Sequence, residues 1–188
     1  MLPVLSIIPI HMSDKEYIKR LKKRMKLNDA FAFVVMGFKY YCGSKGVPKN
    51  KEMALDLWKK GARLGCSAAH AALGGSYMAG EIVDFNFALA YQHFRLAAIG
   101  GDEGARHKLG AIEKCNNMDV AMKHFMIAAK AGCNESLKEI GEGYKAGYVT
   151  KDDYAITLRA HQASKNEMKS EQRTRAIAWR GDMNATPM

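Results

Sequence analysis

Four cysteines and six histidines are the side chains best suited to nucleophilic or metal chemistry in this chain. Neither set forms a working pattern. Cys42, Cys66, Cys115 and Cys133 contain no C-x-x-C pair. His93 and His124 each precede a phenylalanine and could form a ladder along one face, but no carboxylate or cysteine completes a ligand spacing around them. Polar surface histidines are the reading favoured over a metal site. The chain has no G-x-S-x-G, no Walker phosphate loop and no H-E-x-x-H. The expectation is a non-enzymatic protein with no catalytic residue, no metal and no cofactor.

What positions these residues is an internal repeat. With Ala32 as position zero, Ala69, Ala105 and Ser136 follow at spacings of 37, 36 and 31 residues. Four residues on stand Met36, Leu73, Leu109 and Ile140, and next to them Gly37, Gly74, Gly110 and Gly141. At +8 come Tyr40, Tyr77, Glu113 and Tyr144, and at +11 Gly43, Gly80, Asn116 and Gly147. Backwards, position −11 holds Leu21, Trp58, Phe94 and Phe125, position −7 holds Met25, Ala62, Ala98 and Ala129, and −4 holds Asn28, Gly65, Gly101 and Gly132.

Offsets 0, +4 and +8 recur at helical spacing, so they form the apolar stripe of a first helix, A. A glycine at +5 costs about 1 kcal/mol in a helix interior relative to alanine. Its presence is best explained by close approach of a neighbouring helix. Gly or Asn at +11 ends helix A, and the same residues at −4 end a second helix, B, because both tolerate a left-handed C-terminal cap. The unit is helix–turn–helix, and the fold class is all-α.

Composition agrees. Apolar residues make up 48%, prolines number 4 and glycines 17, which suits helices punctuated by glycine. The expected organisation is an apolar tail over 1–13, a basic half-repeat capping helix over 14–29, and repeats over 30–66, 67–102, 103–133 and 134–165. The third repeat has a shortened loop, and a C-terminal helix and tail fill 166–188. His161 is expected at the bulky position of the last B helix.

The tail MLPVLSIIPI has no basic flank and is interrupted by Pro3 and Pro9. Ten residues are too few to span a bilayer, which takes about 20 in a helix. A disordered or surface-docked tail, a truncated signal peptide, and a natural start at Met12 all remain open for it.

The cysteines follow from the repeat. Cys42 and Cys115 fall at the ends of A helices, and Cys66 and Cys133 just past the ends of B helices. Antiparallel A and B helices end at opposite edges of a unit, beyond the roughly 7 Å Cα limit of a disulfide. Reduced thiols are expected, and with them an intracellular, cytoplasmic setting.

The pattern resembles the Sel-1-like repeat, a relative of the tetratricopeptide repeat. The resemblance rests on AHAALGGSYMAG (69–80) followed by AYQHFRLAAIGG (90–101), and on AFVVMGFKYYCG, SKGV and ALDLWKKGARLG within 32–65. It covers residues 14–165, with Met36, Glu113, Ser136 and the short third loop as departures. The resemblance implies a right-handed α-solenoid that serves as a protein–protein interaction scaffold or adaptor. The family's signature residues, here Gly37, Gly74, Gly110, Gly141, Trp58, Phe94 and Phe125, are structural.

In related solenoids the A-helix face opposite the stripe lines a concave groove, as the resemblance implies. Offsets +2, +6 and +9 on that face read Val34, Phe38 and Tyr41, then Ala71, Gly75 and Met78, then His107, Ala111 and Lys114, then Lys138, Glu142 and Lys145. The expected groove runs from aromatic to basic and holds a partner peptide with an apolar and an acidic end. The competing reading covers Val34, Phe38 and Tyr41 intramolecularly or by a homodimer mate.

Net charge is +10, and residues 1–27 hold seven basic against two acidic residues. Lys19, Arg20, Lys22, Lys23 and Arg24 belong to that basic helix. Its seam of Ile18, Leu21 and Met25 suits a packed cap. The alternative function is binding of RNA or anionic surfaces through this helix. The weakly basic repeat body lacks the aromatic–basic interleaving of single-strand platforms, so a protein partner is expected, and nucleic acid and membrane are not.

Overall fold

A computed structural model of the chain describes residues 13–44 and 46–184, with side chains through residue 171. The apolar tail lies outside the described residues except for Ser13. The described helices are α1 (Asp14–Lys26), α2 (Ala30–Cys42), α3 (Lys51–Arg63), α4 (Ser67–Ala79), α5 (Phe87–Ile99), α6 (Glu103–Glu113), α7 (Met118–Lys130), α8 (Asn134–Lys145) and α9 (Lys151–Asn184). No strand occurs among the described residues, only an isolated bridge between Ser44 and Val47. No described helix is long and apolar enough to cross a membrane.

Sequence sets the helix boundaries. Asn50, Asn86 and Asn117 each cap a B helix by accepting the backbone N–H three residues on, at 2.8, 3.0 and 3.1 Å. Thr150 does the same for α9, accepting from the Asp153 N–H at 3.1 Å. Asp29 and Asp102 cap α2 and α6. The helix-ending positions Asn28, Gly65, Gly101 and Gly132 all take positive φ, between 56° and 108°. That conformation is open to glycine and tolerated by asparagine, which is why only these two types occupy the B-to-A turn.

Consecutive helices pack antiparallel and stack in chain order, giving an α-solenoid with α2, α4, α6 and α8 as A helices. Each of the first three A–B pairs is locked by one aromatic ring on one glycine. A Cβ on Gly74 would lie 2.7 Å from the Phe94 ring, and one on Gly110 would lie 2.6 Å from the Phe125 ring. Gly37 meets Trp58 in the same way, and the indole Nε1 donates to the Val34 carbonyl at 3.4 Å. The rings themselves are buried. Four apolar clusters follow one another along the array, and the loop residues Val47 and Val149 plug the first and the last.

The fourth repeat departs from this plan. Nothing stands within 4 Å of a Cβ on Gly141, so this glycine has no ring partner and its expected packing role is corrected. The cap explains why. The bulky residue lies eight positions after the cap in α3, α5 and α7, and eight after Thr150 is Leu158, which is exposed. His161 sits three residues beyond the bulky position, buried, with Nδ1 2.8 Å from the Ala129 carbonyl of α7. Thus α9 leans on α7 as well as α8. Thr157 is fully buried there, and its hydroxyl has no hydrogen-bond partner among the described residues. The boundary expected between 165 and 166 falls inside α9, which runs unbroken because no Gly or Pro occurs between Lys151 and Arg180.

These contacts predict opposite outcomes for one substitution. Gly74→Ala or Gly110→Ala should destabilise the chain by about 1–3 kcal/mol, because the methyl overpacks a ring against a rigid helix. Gly141→Ala should be neutral or stabilising by up to about 1 kcal/mol, the helix-propensity difference. Urea unfolding midpoints of the three variants measure this directly.

Candidate partner-binding cleft

The C-terminal half of α2 does not close against α4. Between them lies a cleft of about 520 Å³. Its aromatic wall is Phe38 and Tyr41 from α2, with Trp58 of α3 behind them. The Phe38 and Trp58 centroids lie 5.1 Å apart, and those of Tyr41 and Trp58 5.6 Å apart, both pairs tilted. Its floor is the small face of α4: Ala68, Ala71, Ala72, Gly75 and Ala79. Small residues at every turn of that face leave the volume unfilled. Phe38 is 47% exposed although its ring is braced by Trp58.

A polar latch closes one end. The Lys51 ammonium donates to Glu81 Oε2 at 2.9 Å, and the Tyr41 hydroxyl donates to the same oxygen at 3.2 Å. The ammonium holds the Glu81 carboxyl below the usual carboxylate range. An exposed pair of this kind contributes little to stability. It fixes the Tyr41 ring and so the shape of the wall. A larger hollow of about 880 Å³ runs along α1, but its lining comes from that one helix and Gly46, so no second helix walls it.

The expected groove residues fall into three groups. Phe38 and Tyr41 line the cleft. Val34 and His107 do not line a groove. Val34 is 2% exposed in a cluster with Ala69, and His107 Nδ1 lies 2.9 Å from the Ser136 hydroxyl with its ring against Phe125. Both occupy offset +2, and both pack on the zero position of the next repeat. Ala71 and Ala105 repeat the arrangement in the third cluster. Offset +2 is therefore the inter-repeat contact, a direction that a single-helix projection does not contain. Met78 is likewise drawn into that third cluster.

The expected basic end is largely neutralised. Lys114 pairs with Glu139 at 2.7 Å, and Lys145 with Glu142 at 2.8 Å, leaving Lys138 exposed without an ion pair among the described residues. In the basic helix, Arg20 pairs with Glu16 and Arg24 with Asp29, while Lys19, Lys22 and Lys23 are exposed.

The histidines are more engaged than surface residues would be. His70 of α4 and His93 of α5 bring their Nδ1 atoms to 3.0 Å, and the Tyr77 ring stacks on His93 at 5.6 Å. One ring must carry its proton on Nδ1 while the other leaves Nδ1 bare. Sequence spacing missed this pair because its members lie on different helices. No cluster of three potential metal ligands forms among the described residues. All four cysteines are free thiols.

Burial holds His70 and His93 below the usual histidine range, and the neighbouring His70 lowers His93 further. Burial does the same for His107 and His124. Such groups take up protons more readily in the unfolded chain, so stability rises with pH across their titration. It should be complete above the unfolded value of about 6.5 and decline as pH falls below it. Urea midpoints from pH 7.5 to 5 should show that fall, and His93→Gln should shallow it. A flat profile would contradict the assignment.

No family model matches the sequence, and no curated protein matches it. Among solved structures, the chain is similar to a Sel1 repeat protein from Oxalobacter formigenes, with 27% identity and a TM-score of 0.70 over 82% of this chain and 65% of that one. It is also similar to a protective antigen of uropathogenic Escherichia coli strains displaying an SLR fold. There the identity is 26% and the TM-score 0.66, over 80% of this chain and 33% of that one. This chain thus spans just under two thirds of the first protein's length and a third of the second's.

Proposed function

We propose that this chain, a Sel-1-like repeat protein, is a non-enzymatic interaction scaffold that holds a partner peptide in the cleft between its first two A helices. The observation that carries this reading is the pairing of an aromatic wall with a floor of small residues. A braced, half-exposed Phe38 beside unfilled volume is suited to receive an apolar side chain from outside. Aromatic anchors in partly desolvated pockets are where binding energy concentrates in protein interfaces.

The partner chemistry follows from charge. The four A helices are neutral in sum, so the cleft favours an uncharged segment carrying one or two aromatic or aliphatic anchors. Backbone groups of an extended peptide would find acceptors on the rim at Glu81 and Asp102, both of which line the cleft. With its basic end neutralised, the groove gives no reason to expect an acidic segment over repeats 3 and 4.

Gly75 supplies the decisive variant. It lines the cleft, and a Cβ there meets nothing within 4 Å. Gly75→Leu fills the floor without disturbing a core contact, and in a helix interior it should raise stability slightly. Peptides selected from a random display library on the wild-type chain should share an apolar anchor. They should bind Gly75→Leu and Phe38→Ala at least about tenfold more weakly, the worth of one buried anchor. Peptides that bind all three proteins equally would place the binding surface elsewhere.

A further inference from the structure

The charge of the chain is partitioned between its layers. The A helices are neutral in sum, while α1 alone carries +5 and α3 carries +2. Because the helices alternate in direction, the ends of the B helices and the starts of the A helices share one edge of the array. At that edge the last turn of α1 holds Lys23, Arg24 and Lys26, and the last turn of α3 holds Lys60 and Arg63. Asp29 lies between these two helix ends and is committed to Arg24 and to capping α2, while the other acids of this edge, Asp102, Glu103 and Glu135, stand farther along at the starts of α6 and α8. Lys23, Lys26, Lys60 and Arg63 are exposed and have no ion pair among the described residues. The adjacency of α1 and α3 is fixed by Leu57, which shares a core cluster with Ile18 and Leu21.

Aliphatic and aromatic side chains project from the same edge. Leu27 is 75% exposed, Leu64 is 46% exposed and Phe31 is 50% exposed. Leu27 and Leu64 occupy the same position in successive repeats, each directly after a basic last turn. Single exposed apolar residues need no explanation. Two at one register position, flanked by unpaired cations, form a pattern. The opposite edge serves as an internal comparison. It also exposes apolar rings, Phe85 and Phe87, but mixes both signs of charge around them, Glu52, Glu81 and Asp84 with Lys49 and Lys51, and Lys51 is paired with Glu81.

We infer that the edge formed by the ends of α1 and α3 docks on an anionic lipid bilayer. Lys23, Lys26, Lys60 and Arg63 would meet the headgroups, and Leu27, Phe31 and Leu64 would enter the headgroup–acyl boundary. Cations attract a negative surface, and apolar side chains among them distinguish a bilayer from a soluble polyanion. RNA would use the cations alone, because this edge offers only one aromatic ring for bases to stack on. The inference rests on other residues than the peptide cleft, which opens between the A helices and shares none of Lys23, Lys26, Leu27, Phe31, Lys60, Arg63 or Leu64.

Flotation with vesicles tests it on the full chain. In low salt, the protein should float with phosphatidylcholine vesicles containing 30 mol% phosphatidylserine and not with phosphatidylcholine alone. The double variant Leu27→Ser/Leu64→Ser keeps every charge and removes no buried side chain. It should lower the bound fraction at least fivefold with an unchanged thermal midpoint. Lys26→Glu/Lys60→Glu should abolish flotation, and Gly75→Leu should leave it intact. Failure of the wild type to float would overturn the inference. Equal flotation of the leucine variant would also overturn it, as would displacement of the protein from vesicles by a homopolymer RNA that binds the leucine variant equally well.

Discussion

A ring lying on a bare glycine fixes the spacing of this molecule. Without a Cβ at Gly37, Gly74 and Gly110, the rings of Trp58, Phe94 and Phe125 reach the backbone of the preceding helix. The two helices of each unit then sit closer than ordinary side chains would allow. The ring fills what the glycine vacates, so the interior stays dense although Ala and Gly dominate the helix faces. The cost of glycine in a helix is about 1 kcal/mol per site. It is offset by burial of a whole aromatic side chain, worth about 1.5–3 kcal/mol. The contact is also directional: a ring on a glycine permits one register of helix against helix. That is how a chain with many interchangeable alanines selects one stacking.

The fourth repeat shows what happens when the contact is missing. Gly141 is present, but α9 brings Leu158 to the ring position and leaves it exposed. The helix then settles between α7 and α8, held by His161 on the Ala129 carbonyl and by Ser164 on the Ala131 carbonyl. Polar hooks onto a neighbouring helix end replace an apolar lock. The last unit is packed differently, through Val149 and Tyr154 in the last apolar cluster and the Tyr154 ring stacked on Tyr144 of α8, and it buries the Thr157 hydroxyl without a partner among the described residues.

The sequence made the periodic part legible. Helix ends, the close approach at the +5 glycine and the antiparallel order all follow from residues recurring at fixed offsets, since each depends on contacts inside one unit, whereas the ring that makes the approach is seen only in the packed pair. Contacts between units were harder to see. Offset +2 projects away from the stripe of its own helix, and only stacking turns it toward the next repeat, where Val34 meets Ala69 and His107 meets Ser136. For the candidate site, Phe38 and Tyr41 were readable from the helical projection. Trp58 behind them, the small floor of α4 and the Lys51–Glu81 latch were not, because they come from three separate elements. The His70–His93 pair was hidden for the same reason. The length of α9 was foreseeable from its lack of Gly and Pro, but the expected repeat boundary imposed a break there.

The partition of charge has a consequence for how such an array can work. A neutral, aromatic A-helix layer and a basic B-helix layer place different chemistries on different residues of the array. The A layer can select a partner by shape and apolar contact, with little dependence on ionic strength, because its helices are neutral in sum and Lys114 and Lys145 are paired with Glu139 and Glu142. The B layer keeps most of its cations free at one end of the array, where salt should modulate any attraction within a screening length of about 10 Å. Evenly mixed charge would make both surfaces weakly attractive to the same anions. Segregation lets the two faces engage different partners at once, and this requires only that the repeat hold its two layers apart at constant spacing, which the ring–glycine locks do.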